Sequence, residues 1–229
     1  MLIHSFPAGP WQTNCYIVAP SAGHECIIID PGHGAASPAR EFITAQSLKP
    51  IAVMVTHGHL DHMWSVFPLA TGYGIPAYVH EADRHLLSNP AAGVSPETLA
   101  ALSQMVSTDD LFAEPEDVHE ISQNSRLEIA GLDITINHAP GHTAGSVLFD
   151  VLDVERYVFT GDVLFAGAIG RTDLPGGSPE AMNESLRSVI LPIDDAAHIL
   201  PGHGPASTMG IERGTNPYLR RITQGLSAT

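Results

Sequence analysis

The sequence predicts an α/β domain in which two sheets pack inside layers of helices. Strand-like apolar runs alternate with helix-start signals in the first half of the chain, and this alternation favours an α/β layered architecture. The second half is also rich in strands and is closed by helices. With 44% apolar and 15% charged residues, the 229-residue chain can bury a substantial core. No break in composition divides it, so residues 1–229 are expected to form a single domain.

The first 55 residues contain three predicted strands and one predicted helix. Ser37 is the expected N-cap of the helix, because its hydroxyl can accept from a free backbone N–H and Pro38 suits the first helical position. Pro50 is expected to stop this helix, since proline lacks the N–H that a helix interior needs. The elements are strands at Thr13–Ala19, Glu25–Asp30 and Ile51–Val55, and a helix from Ser37 to about Leu48.

Strands dominate the remainder of the chain. A helix is first predicted through Trp64 and Leu69, ending near Gly72 or Gly74, because glycine commonly follows a helix. Asn216 and Pro217 indicate the start of the last helix. The other elements are strands at Ile75–Val79, Arg126–Ile129, Leu132–Asn137, Ser146–Val151, Arg156–Thr160 and Ala197–Leu200, and helices from Ser178 to about Val189 and from Asn216 to Gln224.

The segment 88–118 is the least regular part and is interpreted as an insertion. Within it, Ser95 begins a predicted helix whose Leu99, Leu102 and Met105 recur at helical spacing. Such an apolar stripe usually marks a packed helix face, which favours an insertion packed on the surface. The alternative is a lid over the functional site.

The most informative segment is the run HGHLDH at residues 57–62. It places four potential metal ligands, His57, His59, Asp61 and His62, on the loop that leaves the strand 51–55. Such a loop can turn His57 and His59 to one side and present Asp61 and His62 to a second position nearby. The pattern therefore favours two adjacent metal ions over a merely exposed His-rich turn.

Three further loops have the same context, in which an apolar strand ends and a Gly-rich turn carries a metal-competent side chain. Glycine and proline allow these turns to be tight enough to bring the ligands to a shared centre. The donors are nitrogen and oxygen, which suit Zn²⁺ and are also accepted by Fe or Mn. The predicted sets are His57, His59 and His142 for one divalent ion, Asp61, His62 and His203 for the other, and Asp162 as the bridge.

Charge and composition exclude several classes of partner. The formal net charge of −15, from 25 acidic and 10 basic residues, argues against a nucleic-acid partner.

No apolar stretch reaches membrane-spanning length, and residues 1–6 do not resemble a signal peptide, so a cytoplasmic location without membrane contact is expected. Cys15 and Cys26 are expected to be buried, reduced thiols, with a disulfide between neighbouring strands as the alternative.

The motif set resembles the metallo-β-lactamase-fold superfamily, and within it glyoxalase II, the hydroxyacylglutathione hydrolases. The resemblance covers nearly the whole chain and is closest to the short type without a C-terminal helical domain. It implies an αβ/βα four-layer sandwich with the site between the sheets, and it implies the same metal ligands. The segments that carry it are THGHLDH at 56–62, PGHTAGS at 140–146, TGDVLF at 160–165 and GRTD at 170–173.

Other branches of the superfamily differ from this sequence at particular positions. True β-lactamases of this fold usually lack an acid at the position of Asp162, and acyl-homoserine lactonases usually carry a tyrosine at that of Phe165. Nuclease relatives usually bring an additional domain or a basic arm, and neither is seen in this sequence. Persulfide dioxygenases are also similar around 170–173, but they use one iron and usually have a different loop around the last histidine.

The resemblance implies a binuclear hydrolase that cleaves thioesters of hydroxy acids with a low-molecular-weight thiol by metal-activated hydroxide. Asp61 and Asp162 are the expected catalytic carboxylates. Arg171 matches the position of a contact to the thiol carrier, although it can instead pair with Asp173. His33, which follows Asp30, Pro31 and Gly32, is expected to be an exposed loop residue, with a position near the site as the alternative. The alternatives are a mononuclear iron persulfide dioxygenase and a hydrolase of lactones or other esters, and a monomer or small homo-oligomer is expected.

Overall fold

The computed structural model describes residues 1–95, 98, 100, 113–122 and 125–228. Within these ranges the strands form two six-stranded sheets and a short two-stranded sheet. The predicted helix at Ser95 and its stripe at Leu99, Leu102 and Met105 lie almost wholly outside the described residues. The lid and the surface insertion therefore remain alternative predictions for the segment 88–118.

The first sheet is formed by the N-terminal half in chain order. Its strands are β1 (Leu2–Ala8), β2 (Thr13–Ala19), β3 (Glu25–Ile29), β4 (Lys49–Met54), β5 (Ala77–His80) and β6 (Val118–Ile121). Strands β1 to β3 are antiparallel, whereas β3 to β6 are parallel. The connections contain helices α1 (Ala36–Ala45), α2 (Leu60–Met63), α3 (Val66–Tyr73) and α4 (Arg84–Ser88), and a 3₁₀ turn at Pro90–Gly93.

The second sheet is formed by β7 (Arg126–Ile129), β8 (Leu132–His138), β9 (Val147–Leu152), β10 (Arg156–Gly161), β13 (His198–Pro201) and β14 (Ser207–Thr208). Its order is β14-β13-β10-β9-β8-β7, and β10 and β13 pair in parallel. The crossover between them contains the hairpin β11 (Leu164–Phe165) and β12 (Ala168–Ile169), helix α5 (Pro179–Ser185) and a π-helical turn (Leu186–Ile190). Helices α6 (Met209–Thr215) and α7 (Pro217–Thr223) follow.

Three apolar clusters hold these elements in four layers. The middle cluster lies between the sheets, where Ile27 and Ile29 of β3 pack with residues such as Phe149 of β9. Side chains alternate across a strand, so Ile28 faces outward and packs with α1 and α3. The third cluster packs the outer face of the second sheet against the helices that follow β12. The predicted αβ/βα sandwich is thus confirmed.

The limits of α1 differ from the prediction. The helix begins at Ala36 and follows Ala35, so the expectation that Ser37 is its N-cap is wrong. The amide of Ala35 donates to the carbonyl of Gly32 at 3.1 Å, which starts the turn upstream, and the Ser37 hydroxyl instead donates to Glu41 Oε1 at 3.3 Å. The predicted end near residue 48 is also late, because Ser47 adopts a φ of +54°, which a helix cannot contain.

The other helix boundaries follow local signals more closely. The helix predicted after residue 62 is present as α3, which ends at the left-handed Gly74, whereas α2 begins within the segment 57–62, where a loop was predicted. Ser178 caps α5 by accepting from the amide of Ala181, and Asn216 caps α7 as predicted, accepting from two amides. The sequence does not indicate β1, β14 or α6, which are short or partly exposed elements.

Both cysteines are free and fully buried, as expected for reduced thiols. Burial raises the pKa of the Cys26 thiol to about 12 and that of Cys15 still further, with a contribution from Asp30 at Cys15. Because the thiolate is the reactive form, neither cysteine is expected to react with Ellman's reagent in the folded protein. Two equivalents should react in denaturant, whereas rapid labelling without denaturant would contradict this prediction.

None of the helices within the described ranges combines the length and apolar character that a bilayer crossing requires.

Candidate active site

All seven predicted ligands converge at the edge where strands of both sheets end. The loop after β4 carries His57 and His59, whereas Asp61 and His62 lie on the short helix α2 rather than on the predicted loop. The loops after β8, β10 and β13 carry His142, Asp162 and His203. Their donor atoms form three groups, in each of which the atoms lie within 4.8 Å of one another. The groups are His57, His59 and His142; Asp61, His62 and His203; and His57, His62 and Asp162.

Asp162 lies between the two predicted ligand sets. Its Oδ2 atom is 3.5 Å from His142 Nε2 and 3.5 Å from His203 Nε2, which belong to different sets. Its Oδ1 atom is 3.3 Å from His62 Nε2. A carboxylate in this position can offer one oxygen to each of two neighbouring ions.

The unsatisfied atoms of the cluster fit a metal centre. Among the described residues, His57 Nε2 and His59 Nε2 are buried ring nitrogens without a hydrogen-bond partner. A buried polar atom left unpaired costs about 1–3 kcal/mol, and a metal ion would satisfy it. The donor set is imidazole and carboxylate, which suits Zn²⁺, Fe or Mn. The cluster therefore fits a binuclear metal site.

Burial keeps two of the imidazoles neutral. Burial, together with His62 and His142, holds the pKa of His57 well below its usual value. Burial and the neighbouring His142 lower the pKa of His59 to about 3. Both rings are therefore neutral near pH 7, which is the form that binds metal.

His62 has the opposite electrostatic environment. Burial acts to lower its pKa, but the carboxylates of Asp162, Asp61 and Asp30 outweigh burial and raise the pKa well above the usual value. Burial likewise acts to raise the pKa of Asp61, yet His62 and His203 lower it. The protein without metal therefore holds a compensated network of charged imidazole and carboxylates in this half of the cluster.

Asp30 orients His62 and was not recognised as a site residue from the sequence. Its buried carboxylate accepts from the amide and the hydroxyl of Thr56, both at 2.7 Å, and contacts His62 Nδ1 at 2.9 Å. The contact leaves Nε2 of His62 facing Asp61, Asp162 and His203. Such outer partners fix ring orientation at metal sites.

Trp11 and the first two residues of β2 hold ligands of the second set from the other side. The His203 ring donates through Nδ1 to the carbonyl of Trp11 at 3.0 Å, and the Thr13 hydroxyl donates to Asp61 Oδ2 at 3.2 Å. Asn14 donates from its side-chain amide to the carbonyls of Pro201 and Gly204. The contacts of Trp11 and Asn14 join residues almost 200 positions apart, and that of Thr13 joins residues 48 positions apart, so no local pattern indicates them.

Arg171 touches the site in two ways. Its carbonyl lies 2.8 Å from His142 Nδ1 and so orients that ring. Its guanidinium forms a two-point ion pair with Asp173, at 2.6 and 2.7 Å, which holds the pKa of Asp173 at about 2. The Arg171 side chain is 60% exposed, so the pair lies at the surface of the site.

A cavity of about 210 Å³ opens directly onto the cluster. Arg171 is the cation among its described lining residues, and Trp11, Leu60, Val94 and Leu174 supply its apolar wall. A larger cavity, of about 730 Å³, lies between α5 and the outer face of the second sheet and contains none of the seven ligands.

His33 packs against the Trp64 ring, with 4.6 Å between the ring centroids, and is half-buried rather than fully exposed as expected.

Curated relatives resemble the chain over nearly its full length. An uncharacterized protein of Mycobacterium tuberculosis is 42% identical, covering 98% of this chain and 100% of the relative. A Bacillus subtilis protein named "Probable metallo-hydrolase YqgX" is 33% identical, covering 93% of this chain and 95% of its own. The hydroxyacylglutathione hydrolase GloC of Haemophilus influenzae is 33% identical, covering 96% and 98%.

Two proteins of known crystal structure are similar to the chain in both fold and sequence. The BLEG-1 B3 metallo-beta-lactamase superimposes with a TM-score of 0.82 at 33% identity, covering 95% of this chain and 99% of the other. A protein solved in a di-iron-bound form gives 0.76 at 33% identity, covering 94% and 100%. The family model described as "Metallo-beta-lactamase superfamily" matches residues 8–203. The chain therefore belongs to the metallo-beta-lactamase superfamily and is a metal-dependent hydrolase.

Proposed function

We propose that this chain hydrolyses thioesters that join a hydroxy acid to a low-molecular-weight thiol, such as S-lactoylglutathione, at a binuclear centre. The observation that carries the proposal is the position of Asp162 between two three-residue ligand sets, beside a cavity that contains one arginine. The similarity to the hydroxyacylglutathione hydrolase of Haemophilus influenzae over 96% of the chain supports the same chemistry. Thioesterase specificity and the assignment of individual ligands are part of the proposal.

The side chains of the cluster would bind two ions at neighbouring positions. Two bound divalent ions would lower the pKa of water toward neutrality and polarise the thioester carbonyl. His57, His59 and His142 would hold one ion, and Asp61, His62 and His203 would hold the other, with Asp162 shared. The Thr13 hydroxyl bonds to Asp61 and so restricts the carboxylate that would orient the attacking water.

The leaving group explains why the cavity needs no strong general acid. A thiolate is stable near neutral pH, so it can depart without being protonated as the carbon–sulfur bond breaks. Trp11, Leu60 and Leu174 form an apolar wall in that part of the cavity. Arg171 stands at the rim, where it can contact a carboxylate of the thiol carrier.

Parallel assays on the metal-loaded protein test the proposed function. Metal content is quantified first, and initial rates are then measured with S-lactoyl derivatives of several thiols, a lactone, a β-lactam and a thiol persulfide. The expected result is two metals per chain and the highest kcat/KM with an S-lactoyl thiol. Thioester hydrolysis by metal-free protein would refute the proposal. Oxygen consumption with the persulfide and one tightly bound iron would select the dioxygenase alternative instead.

Hydrolysis of a β-lactam is a second candidate, favoured by the structural match to the BLEG-1 B3 metallo-beta-lactamase. The same activated water would attack a β-lactam carbonyl. The assays distinguish the two, since a β-lactamase would hydrolyse the β-lactam with a higher kcat/KM than any thioester.

Replacing Arg171 by alanine is expected to raise KM for S-lactoylglutathione and to change kcat little. The guanidinium is mostly exposed and already paired with Asp173, so its loss should cost about 1 kcal/mol, or roughly a fivefold rise in KM. S-lactoyl-N-acetylcysteamine, whose thiol has no carboxylate, is the matched control and should show an unchanged KM. Equal increases for both thioesters would mean that Arg171 supports the site rather than contacting the carrier.

A further inference from the structure

Asp83 joins the two loops that carry the three imidazoles of the first ligand set. It precedes α4, is 2% exposed, and is not one of the seven ligands. Its Oδ2 atom accepts from the amide of Gly58 at 2.8 Å and from the hydroxyl of Thr143 at 2.6 Å. Its Oδ1 atom accepts from the amide of Gly145 at 2.8 Å. One carboxylate thus holds the His57–His59 loop and the His142 loop together.

Both loops have glycine where Asp83 approaches them. A Cβ atom at position 145 would lie 2.5 Å from Asp83 Cγ, and one at position 58 would lie 3.1 Å from Asp83 Cβ and 2.7 Å from Leu86. Side chains at either position would therefore push the carboxylate away from the backbone amides. The two glycines and Asp83 form a single close-packed junction between the loops.

The donors at this junction are neutral and the carboxylate lies among buried groups. Two backbone amides and one hydroxyl direct their hydrogens at Asp83, and the Ser146 hydroxyl contacts the Thr143 hydroxyl at 2.8 Å. Hydrogen bonds to a buried carboxylate are stronger than neutral ones and have a defined direction. The aspartate side chain consequently constrains the distance between the two loops, together with the hydrogen bond from the Val147 amide to the Thr56 carbonyl at 2.8 Å.

We infer that Asp83 is a positioning residue that sets the spacing of His57, His59 and His142 and thereby the affinity of the first metal position. The inference rests on the binuclear centre of the proposed function, but not on thioester hydrolysis. His59 Nδ1 and His142 Nε2 are 2.8 Å apart across the loops that Asp83 joins, so a small separation of those loops alters the ligand geometry directly. Asp83 acts through the loops that carry the ligands, whereas Asp30 contacts the ring of His62 directly.

The test is a competition titration of Zn²⁺ against a chromophoric chelator, made on the full chain without substrate. In the variant Asp83→Asn the side chain keeps its size, but its NH₂ group must face one of the N–H donors. We expect affinity at one of the two positions to fall roughly 10–100-fold, and the other position to change little. The visible absorption of Co²⁺ at the affected position should also change. A folded Asp83→Asn protein that binds both ions as tightly as the parent would overturn the inference.

Glu212→Gln is the matched control. Glu212 is another buried carboxylate with three hydrogen bonds, from Gly167, Ser207 and Asn216, but it holds the β11–β12 hairpin rather than the ligand loops. The Glu212→Gln variant should be less stable than the parent protein. The metal position that is weakened in Asp83→Asn should bind Zn²⁺ in Glu212→Gln as tightly as in the parent. An equal loss of affinity in Glu212→Gln would show that any destabilisation produces the effect, and would also overturn the inference.

Thr143→Val provides the test if Asp83→Asn does not fold. It removes one of the three hydrogen bonds to Asp83, and affinity at the same position should fall roughly 2–10-fold. Parent-like affinity in this variant would contradict the role of Asp83. The outcome is separate from that of the proposed function, because a parent that binds two metals without hydrolysing thioesters would still show the effect. If the parent protein bound no metal, both the proposed function and the positioning role of Asp83 would be refuted.

Discussion

Replacing Asp162 by alanine is expected to lower thioester hydrolysis by roughly 10³-fold or more. Asp162 contacts ligands of both sets, so its loss removes the shared oxygen donors and leaves His62 without one of its compensating carboxylates. Losing one of two ions removes several kcal/mol of charge stabilisation in the transition state, which corresponds to a loss of that size. The measurement is kcat/KM for an S-lactoyl thiol together with the number of metals per chain, which should fall.

The control for this variant is Asp153→Ala, which removes an exposed carboxylate on the β9–β10 turn, where it pairs with the N-terminal amine. It should leave both activity and metal content at the parent level. An Asp162→Ala enzyme that retains the parent rate would refute the binuclear mechanism. A variant that loses activity while keeping two tightly bound metals would assign Asp162 to catalysis rather than to metal binding.

Removing metal with a chelator is expected to lower the thermal stability of the protein substantially. Filling one site, at a free metal concentration about 1,000 times its Kd, stabilises the folded state by about 4 kcal/mol. For a domain of this size the corresponding rise in Tm is roughly 8–16 °C. The stabilisation by metal is expected because the cluster buries ring nitrogens that have no hydrogen-bond partner, and because its imidazoles are closely spaced. A bound ion would satisfy these nitrogens. Circular dichroism during heating, with and without Zn²⁺, measures the shift.

Two controls make the thermal experiment specific. A variant with both His57→Ala and His203→Ala lacks one ligand in each predicted set, so Zn²⁺ should shift its Tm far less. Mg²⁺, which prefers oxygen ligands and keeps much of its hydration shell, should have little effect on the parent. An identical Tm with chelator and with Zn²⁺ would contradict a metal centre built from these residues.

The convergence of the seven predicted ligands could be foreseen because each lies in a local pattern. His57 to His62 follow an apolar strand, and His142, Asp162 and His203 occupy similar Gly-rich turns. Strands that end at the same edge of packed sheets bring such turns together, so local context sufficed. The four-layer architecture followed from the same alternation of strands and helices, and the resemblance to a known superfamily specified it further.

The residues that hold the ligands in place were not predictable in this way. Asp30 follows a strand and Asp83 precedes a short helix, and either pattern is typical of an ordinary turn or helix start. Their roles depend on contacts with segments 25 to 62 positions away. Trp11 acts on His203 through its backbone carbonyl, which has no signature in sequence at all. The start of α1 was missed because a backbone turn at Gly32 outweighed the cap preference of Ser37.

The position of His203 has a consequence for how the protein is made. The second ligand set combines His203, near the end of the chain, with Asp61 and His62, and the segment at Trp11 to Asn14 holds His203 from the beginning of the chain. During synthesis the proposed second metal position therefore cannot form before the ribosome has delivered His203. A stable ion at that position would consequently report that the segments around Trp11 and His203 have met, and products that stop before His203 would not acquire it.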